Sequence, residues 1–596
     1  MTERFGLVRE FLGRCWRTGP VAMLVVLGCL VLNMVSFALI GIGMRSIVNG
    51  TVHDDPTVMV LGAVGAAVAY TVDMTISEIG FMLRIHLVER VAVAEIETAT
   101  LRDATGIETI EHLEHSDYLD RIALVRGESW AIVDSAWAVV EAVVLAVRLL
   151  LTVAVLGSVS PSLLVLVAFA AVPTVFEQRG RRRIQRVETE TAELRRLERH
   201  LFALATEPAT SKELRVAGTG ADVVARQRAA WDRSATLRFR ARLVAACWST
   251  AGWLVFGVGF VGGLAVVIVQ AGGRPSAAGD LVMVVTVGLQ LRWAVEAAVR
   301  RSADTGGYGR LLEPFLWLRR YSARAAAATG AGLAAPTTLR EGIGIEDLRF
   351  TYPGAGAPAL DGVSTFLPAG AVVAVVGEYG SGKTTLVKLL AKLYRPDSGR
   401  ITVDGVDLAD LDTPGWRTGM SAAFQDFGRY RCTVAEAVGL GDPAGMGDAD
   451  QLAAAVTAAD ADRFVERLPD GMLTRLGRQF GGVELSEGQW QKVALARACM
   501  RTRPLLFVLD EPTASLDAPS EHAIFERYLR RARWLAGATG AVTVVVSHRF
   551  STVAGADLIL VLERGRLREA GTHAELLALG GGYADLYGIQ AAAYSG

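Results

Sequence analysis

Ala371-Val372-Val373-Ala374-Val375-Val376-Gly377-Glu378-Tyr379-Gly380-Ser381-Gly382-Lys383-Thr384 runs from an apolar strand pattern into a complete GxxxxGK[ST] loop. That strand–loop–helix order is what a phosphate-cradling P-loop requires. Backbone N–H groups of the loop face phosphate oxygens. Lys383 is expected to reach the β- and γ-phosphates and the Thr384 hydroxyl to ligate Mg²⁺. Downstream, Leu505–Leu509 reads as a second buried strand ending in the acidic pair Asp510-Glu511. An Asp at such a strand end suits a Mg²⁺ link, and a Glu beside it suits polarisation of a water.

The first half of the chain is apolar in long runs: Val21–Met44, Val58–Leu83, Ala131–Gly157, Pro161–Phe176, Leu243–Gln270 and Leu281–Val299. Each is long enough, or nearly so, to cross a hydrocarbon core of about 30 Å. Mean hydropathy is +0.34, and 51% of the residues are hydrophobic. The first run is read as a span and not a cleavable signal, because it is long and follows an amphipathic stretch with Arg4, Arg9, Arg14 and Arg17. Short loops poor in charge (Arg45–Thr57, Ser158–Ser160, Ala271–Asp280) alternate with long charged ones (Arg84–Trp130, Arg179–Arg242). The positive-inside rule then puts the N-terminus, the long loops and the C-terminus in the cytoplasm. Six spans satisfy the alternation.

At 596 residues the chain holds more than one domain. The expected division is a membrane domain over 1–320, a linker over 321–340 and an α/β P-loop domain over 341–596. Tyr321–Thr338, rich in Ala, Gly and Thr, carries the linker reading. The membrane helices are expected to continue into the cytoplasm, since Leu194, Leu197, Leu201 and Leu204 recur at helical spacing. Breaks are expected at Thr105–Gly106, Glu207–Pro208 and Ala217–Gly218. Net charge is −1, so no basic field points to nucleic acid. The five cysteines, Cys15, Cys29, Cys247, Cys432 and Cys499, are scattered, against a disulfide scaffold or a zinc site. Scarce lysine beside abundant arginine, alanine, glycine and valine reads as the codon bias of a GC-rich bacterial genome.

Further motifs carry a family resemblance across nearly the whole chain. Phe350-Thr351-Tyr352-Pro353 precedes the P-loop, and Phe424-Gln425-Asp426 follows it. Then come Leu485-Ser486-Glu487-Gly488-Gln489, continuing as Gln491-Lys492-Val493-Ala494-Leu495-Ala496-Arg497-Ala498, and Leu509-Asp510-Glu511-Pro512-Thr513, Ser515-Leu516-Asp517 and Ser547-His548-Arg549. In order and spacing these resemble the adenine-stacking aromatic loop, Q-loop, LSGGQ signature, Walker B, D-loop and switch histidine of ATP-binding cassette (ABC) transporters. The resemblance implies ATP and Mg²⁺ as ligands. Tyr352, Gly377, Glu378, Tyr379, Gly380, Ser381, Gly382, Lys383, Thr384, Thr385, Ser486, Gly488 and Gln489 would bind nucleotide. Thr384, Gln425 and Asp510 would serve the metal, and Glu511, His548 and Gln425 catalysis. Two positions depart from the pattern: Glu487 stands where glycine is usual, and Arg478, in an X-loop-like Thr474-Arg475-Leu476-Gly477-Arg478, where glutamate is usual.

One cassette with six spans resembles a half-transporter, so a second half-transporter, identical or paralogous, is the implied partner, beside the lipid bilayer and a small-molecule or peptide cargo. The domain order resembles exporters of drug-like, lipid-like or peptide substrates across the bacterial inner membrane. Siderophore importers of the same architecture and an ATP-gated channel or regulatory protein remain alternatives. The stretch Phe480–Trp490 looks more like peptide or drug exporters than lipid flippases. No peptidase domain precedes the first span, so leader processing is not expected of this chain. Glu111–Tyr118 and Lys212-Glu213-Leu214-Arg215 resemble the segments that couple cassette to membrane domain. Asp73, Glu78, Glu141, Arg148, Arg292 and Glu296, ionisable within spans, are candidates for a polar cargo path.

Overall fold

The computed structural model describes residues 2–271, 277–327, 332–511, 518–548 and 553–595. The chain divides into two compact units. One comprises Met1–Arg102 and Arg121–Leu318, the other Asp103–Asp120 and Arg319–Gly596.

The first unit is helical. Helix α1 (Thr2–Thr18) leads into α2 (Pro20–Val52) and α3 (Pro56–Val91). Pro20 and Pro56 open their helices, where a missing N–H costs nothing. Asp55 caps α3 by accepting from the Thr57 and Val58 N–H groups at 3.0 and 3.2 Å. A π-helical turn, Ala92–Glu97, joins α3 to α4 (Thr98–Thr105). After α5 (Ser116–Gly127) come α6 (Ser129–Val159), α7 (Val165–Glu190), α8 (Ala192–Thr206), α9 (Pro208–Ala217), α10 (Gly220–Ala271) and α11 (Ala277–Ala327). The helices break at all three expected places. The fourth run, expected over 161–176, begins with a 3₁₀ turn at Pro161–Leu164 and continues past Phe176 to Glu190.

Six described helices are long and apolar enough to cross a membrane. With 52 residues, α10 is about 78 Å long, far more than a bilayer core needs. Side chains such as Val258 and Val269 are largely exposed along it, as lipid-facing positions would be. Close helix contact is made by small residues. A Cβ on Gly62 would meet Ser46 Cβ at 2.8 Å and the Gly43 carbonyl oxygen at 2.9 Å, so α2 and α3 touch at backbone distance.

Polar side chains inside these helices satisfy one another. Asn33 donates to Asp73 (2.6 Å) and Ser77 (2.9 Å), and Arg148 donates to Asn33 (3.3 Å). Arg84 is buried, bridging to Glu141 and, at 3.8 Å, to Asp134. Asp73, Arg148 and Glu141, singled out in the sequence, therefore sit in ion-pair and hydrogen-bond clusters between α2, α3 and α6. Glu78 is exposed within its unit. The Arg292 side chain, expected to pair with Glu296, lies outside the described residues.

The second unit is built on two sheets. Strands β1 (Gly342–Phe350), β2 (Leu360–Pro368), β4 (Ser398–Val403) and β5 (Val406–Asp407) form an antiparallel sheet in the order β2-β1-β4-β5. Strands β3 (Val372–Val376), β6 (Met420–Ala423), β7 (Leu506–Asp510), β8 (Val542–Val546), β9 (Leu558–Glu563) and β10 (Arg566–Gly571) form the other, in the order β10-β9-β3-β8-β7-β6. All its pairings are parallel except β9–β10. Every residue of β3, β7 and β8 is buried, which is why these strands read as unbroken apolar runs. Alternation decides which core each residue enters. Val373 and Val375 face one cluster with Leu506 and Val508, while Val372, Ala374 and Val376 face another with Phe507 and Leu509.

The helices of this unit are α12 (Lys383–Leu390), α13 (Thr413–Thr418), α14 (Val434–Gly439), α15 (Ala449–Ala458), α16 (Asp462–Val465), α17 (Glu487–Ala498), α18 (Ala518–Thr539), α19 (His573–Leu579) and α20 (Gly582–Ser595).

Two boundaries differ from the expected 1–320, 321–340 and 341–596. The Asp103–Asp120 excursion groups with the cassette because its backbone and side chains bond there. Leu393 accepts from the Ile110 N–H at 3.0 Å, and Thr413 Oγ donates to Glu108 at 2.8 Å. The expected linker is also shorter than its composition suggested. α11 runs to Ala327, and the Leu333 N–H donates to Asp410 O at 2.7 Å. Asp404, in the left-handed region at φ 47°, anchors the entry to β1 by accepting from the N–H groups of Arg340, Glu341 and Gly342 at 2.9–3.2 Å. Asp404→Ala is expected to destabilise the cassette by about 1–2 kcal/mol, because three donors lose one acceptor on a partly exposed surface. Thermal unfolding of the detergent-solubilised chain measures it, and an unchanged midpoint would exclude the anchor.

Candidate functional site

Parallel strands deliver five candidate residues to one sheet edge. Gly377 follows β3, Asp510 ends β7 with Glu511 next to it, His548 lies two residues beyond β8, and Gln425 two residues beyond β6. The crevice outside the carboxyl ends of parallel strands is where α/β sheets bind ligands. The P-loop occupies it between β3 and α12. Gly377, Gly380 and Gly382 have φ of 150°, 77° and 101°. At Gly382 the requirement is also spatial, since a Cβ would meet Ala359 O at 2.6 Å and Leu360 Cδ2 at 2.7 Å. Tyr379 stands out at the loop tip, 96% exposed.

Lys383 is buried and its Nζ donates to the Gly377 and Glu378 carbonyls at 3.0 and 2.8 Å, folding the ammonium over the loop. Burial lowers its pKa, opposed by Glu511 and Asp510. Thr384 Oγ1 lies 3.4 Å from Asp510 Oδ1. Burial raises the Asp510 pKa to about 6, with Thr384 acting the other way. Asp510 Oδ2 is buried without a hydrogen-bond partner among the described residues. A hydroxyl and a buried carboxylate with one unengaged oxygen fit Mg²⁺, which takes one or two carboxylates beside phosphate oxygens. Gln425 is exposed two residues beyond Ala423, which pairs with Leu509 in register.

Glu511 holds a left-handed backbone, φ 50°, uncommon for a non-glycine residue. Its N–H donates to Val546 O at 3.0 Å, and His548 Nδ1 lies 3.4 Å from Glu511 Oε1. Carboxylate and imidazole, from the ends of adjacent strands, thus meet directly. Tyr352 is half-buried, its hydroxyl 3.1 Å from Thr385 Oγ1. Its ring lies edge-on to Phe350 and Tyr394, with centroids 4.9 and 5.4 Å away, and Lys388 Nζ lies 5.5 Å from its centre.

Ser486 is the N-cap of α17. Its Oγ accepts from the Gln489 N–H (3.3 Å), and the Gln489 side chain accepts from the Ser486 N–H (2.8 Å). The exposed Ser486 and neighbouring Gly488 make no hydrogen bond to the P-loop among the described residues. Ser515–Asp517 lie outside the described residues.

Three site features had no local sequence signal. Gln491, in sequence only the continuation of the signature motif, is buried and donates to the Glu511 carbonyl at 3.4 Å. Tyr394 joins the Tyr352 ring on one side and donates to the Glu114 carboxylate on the other. Arg429 pairs with Glu487.

The profile of the ABC transporter family matches residues 360–514. Relatives include an "ATP-dependent lipid A-core flippase" of Aromatoleum aromaticum, 41% identical over 248 residues, 42% of this chain and 40% of that one. Another of the same description, from Thiobacillus denitrificans, is 38% identical over 262 residues, 44% of this chain and 43% of that one. The chain thus spans about two fifths of the length of these relatives. A solved structure described as "a bacterial Atm1-family ABC exporter with ATP bound" superposes with a TM-score of 0.70 at 22% identity, covering 96% of this chain and 99% of that one. At that identity the match concerns fold alone.

Proposed function

We propose that this chain, whose cassette belongs to the ABC transporter family and whose fold is that of an ABC exporter, is a half-transporter that hydrolyses ATP to move an amphiphilic cargo out across a bacterial inner membrane. The carrying observation is the convergence of Lys383, Thr384, Asp510, Glu511 and His548 on one strand edge, in a chain with six candidate spans. N- and C-termini would lie in the cytoplasm, following the charge of the loops.

Tyr352 offers a ring face to adenine, and the loop N–H groups with Lys383 hold the phosphates. Thr384 and Asp510 would hold Mg²⁺, which when bound neutralises charge on the transferring phosphoryl group. Glu511 accepts a proton from the attacking water, oriented by its strained backbone and by His548. Ser486 and Gly488, at the N-terminus of α17, would meet the γ-phosphate held by a second copy or a paralogous chain. Two chains would then form two ATP sites. The clusters around Asn33, Asp73 and Arg148 favour a cargo with a polar head and apolar body. The flippase description of the relatives supports a lipid-like member of that class.

Purified chain in proteoliposomes tests the reading. ATP-dependent movement of a headgroup-labelled lipid, drug or peptide is expected, abolished with Lys383→Ala. ATP hydrolysis with no movement of any amphiphile would refute export. Tyr352→Ala is expected to weaken nucleotide binding by roughly 1–3 kcal/mol, the scale of base–aromatic stacking. Unchanged affinity by fluorescent-nucleotide titration would place adenine elsewhere.

A further inference from the structure

Arg429 lies four residues beyond Gln425, and its Nη2 donates to both carboxylate oxygens of Glu487, at 2.7 Å to Oε1 and 2.5 Å to Oε2. Its guanidinium also approaches the Phe427 ring, 6.0 Å from the centroid. Glu487 is the first residue of α17, directly after the cap Ser486. The pair ties the segment leading out of β6 to the turn that opens α17.

Its exposure shows what the pair is not for. The two side chains are 46% and 55% exposed. A pair this open to water contributes little to folding. α17 does not depend on it either, because Ser486 and Gln489 cap the helix reciprocally. The electrostatics change when another molecule covers this turn. An ATP phosphate tail is strongly anionic, and water exclusion strengthens every charge interaction beside it. A bare carboxylate next to Ser486 would then repel the ligand that Ser486 and Gly488 are placed to receive.

We propose that Arg429 is a positioning residue of the ATPase: by neutralising Glu487 it lets a signature turn carrying a carboxylate close on the nucleotide of a second copy. The inference rests on the reading that Ser486–Gln489 meets nucleotide across a dimer. It also makes the segment after Gln425, beside one nucleotide, a physical support for the turn that meets the other.

The test is the ATPase of the full-length chain in nanodiscs, with KM for ATP and kcat measured separately. Arg429→Gln is expected to raise KM roughly tenfold or more, with a smaller change in kcat, since an unscreened charge at partial burial acts on closure. Thermal midpoint and fluorescent-nucleotide binding to the monomeric chain should match the parent. Arg429→Lys should restore most of the affinity. The decisive arm is the Glu487→Gly background, where the same Arg429→Gln change should have no further effect. An equal loss in both backgrounds, or no loss in either, overturns the neutralising role. Ser486→Ala separates the two levels. If it lowers turnover while Arg429→Gln does not, only the Arg429 inference falls. If it changes nothing, the dimer reading of the signature falls, and the inference with it.

Discussion

Glu511→Gln is expected to slow ATP turnover by roughly 10²–10⁴-fold while leaving nucleotide binding in place. The amide keeps the size and one oxygen of the carboxylate but has negligible basicity, so the attacking water loses its proton acceptor. Binding should survive because Lys383, the loop N–H groups and Asp510 are untouched. The φ of 50° at Glu511 belongs to its backbone, held by the N–H bond to Val546 and the Gln491 contact to its carbonyl, and glutamine can keep both. The variant should therefore fold, bind ATP and stall before cleavage, accumulating a closed dimer visible by size in detergent. Single-turnover hydrolysis of γ-labelled ATP measures the step directly. Near-parental cleavage would remove Glu511 from the base role. Asp510→Asn makes the contrast, since losing a buried carboxylate beside Thr384 should weaken Mg²⁺-dependent binding itself.

The site was legible where chemistry is fixed by short local patterns. The P-loop announces itself because two glycines, one lysine and one hydroxyl must follow a buried strand at fixed spacing, and all four lie within eight residues. Asp510 and Glu511 are legible for the same reason: a fully buried strand ends abruptly in two acids. The six spans follow from length and composition alone. What escaped was set by tertiary pairing. The family resemblance marked Glu111–Tyr118 as a segment that meets the cassette, but no local pattern extended it to Ile110 and Glu108 or named their partners, because each bond is to a residue hundreds of positions away. The linker misled in the opposite sense. Ala-, Gly- and Thr-rich composition resembles a flexible tether, yet Ala325–Ala327 extend a helix and Leu333 bridges to Leu411. In sequence, Glu487 is legible only as a departure from a pattern. Its consequence depends on Arg429, on a different element, which no spacing rule connects to it.

Damage at the docking of Glu108–Glu114 should uncouple hydrolysis from transport. This segment is continuous in sequence with the helices on either side of it, α4 and α5, so it is one of the covalent routes between the cassette and the helices, beside α11. Within the cassette unit it is held at four points. Arg417 Nη2 donates to the Glu108 carbonyl at 2.5 Å, Thr413 to the Glu108 carboxylate, Ile110 N–H to Leu393 O, and Tyr394 to Glu114. Tyr394 also touches the ring of Tyr352, the proposed adenine platform, so nucleotide occupancy and loop position share one side chain. Burial raises the Tyr394 pKa, and the Glu114 bond raises it further, so the hydroxyl stays protonated and donating at any physiological pH. Arg417→Ala combined with Tyr394→Phe removes two anchors and leaves the P-loop, Asp510 and Glu511 in place. Basal ATPase should stay within about twofold of the parent, whereas cargo movement and cargo stimulation of ATPase should fall roughly 5–150-fold, the span of typical coupling energies. Tyr394→Phe alone, which keeps the ring against Tyr352 and loses only the bond to Glu114, should show a smaller part of the same split. Both rates must come from one proteoliposome preparation, with the thermal midpoint confirming that the cassette is folded. Transport and ATPase that persist together, or vanish together in a folded protein, would show that these contacts hold the unit together without transmitting the nucleotide state.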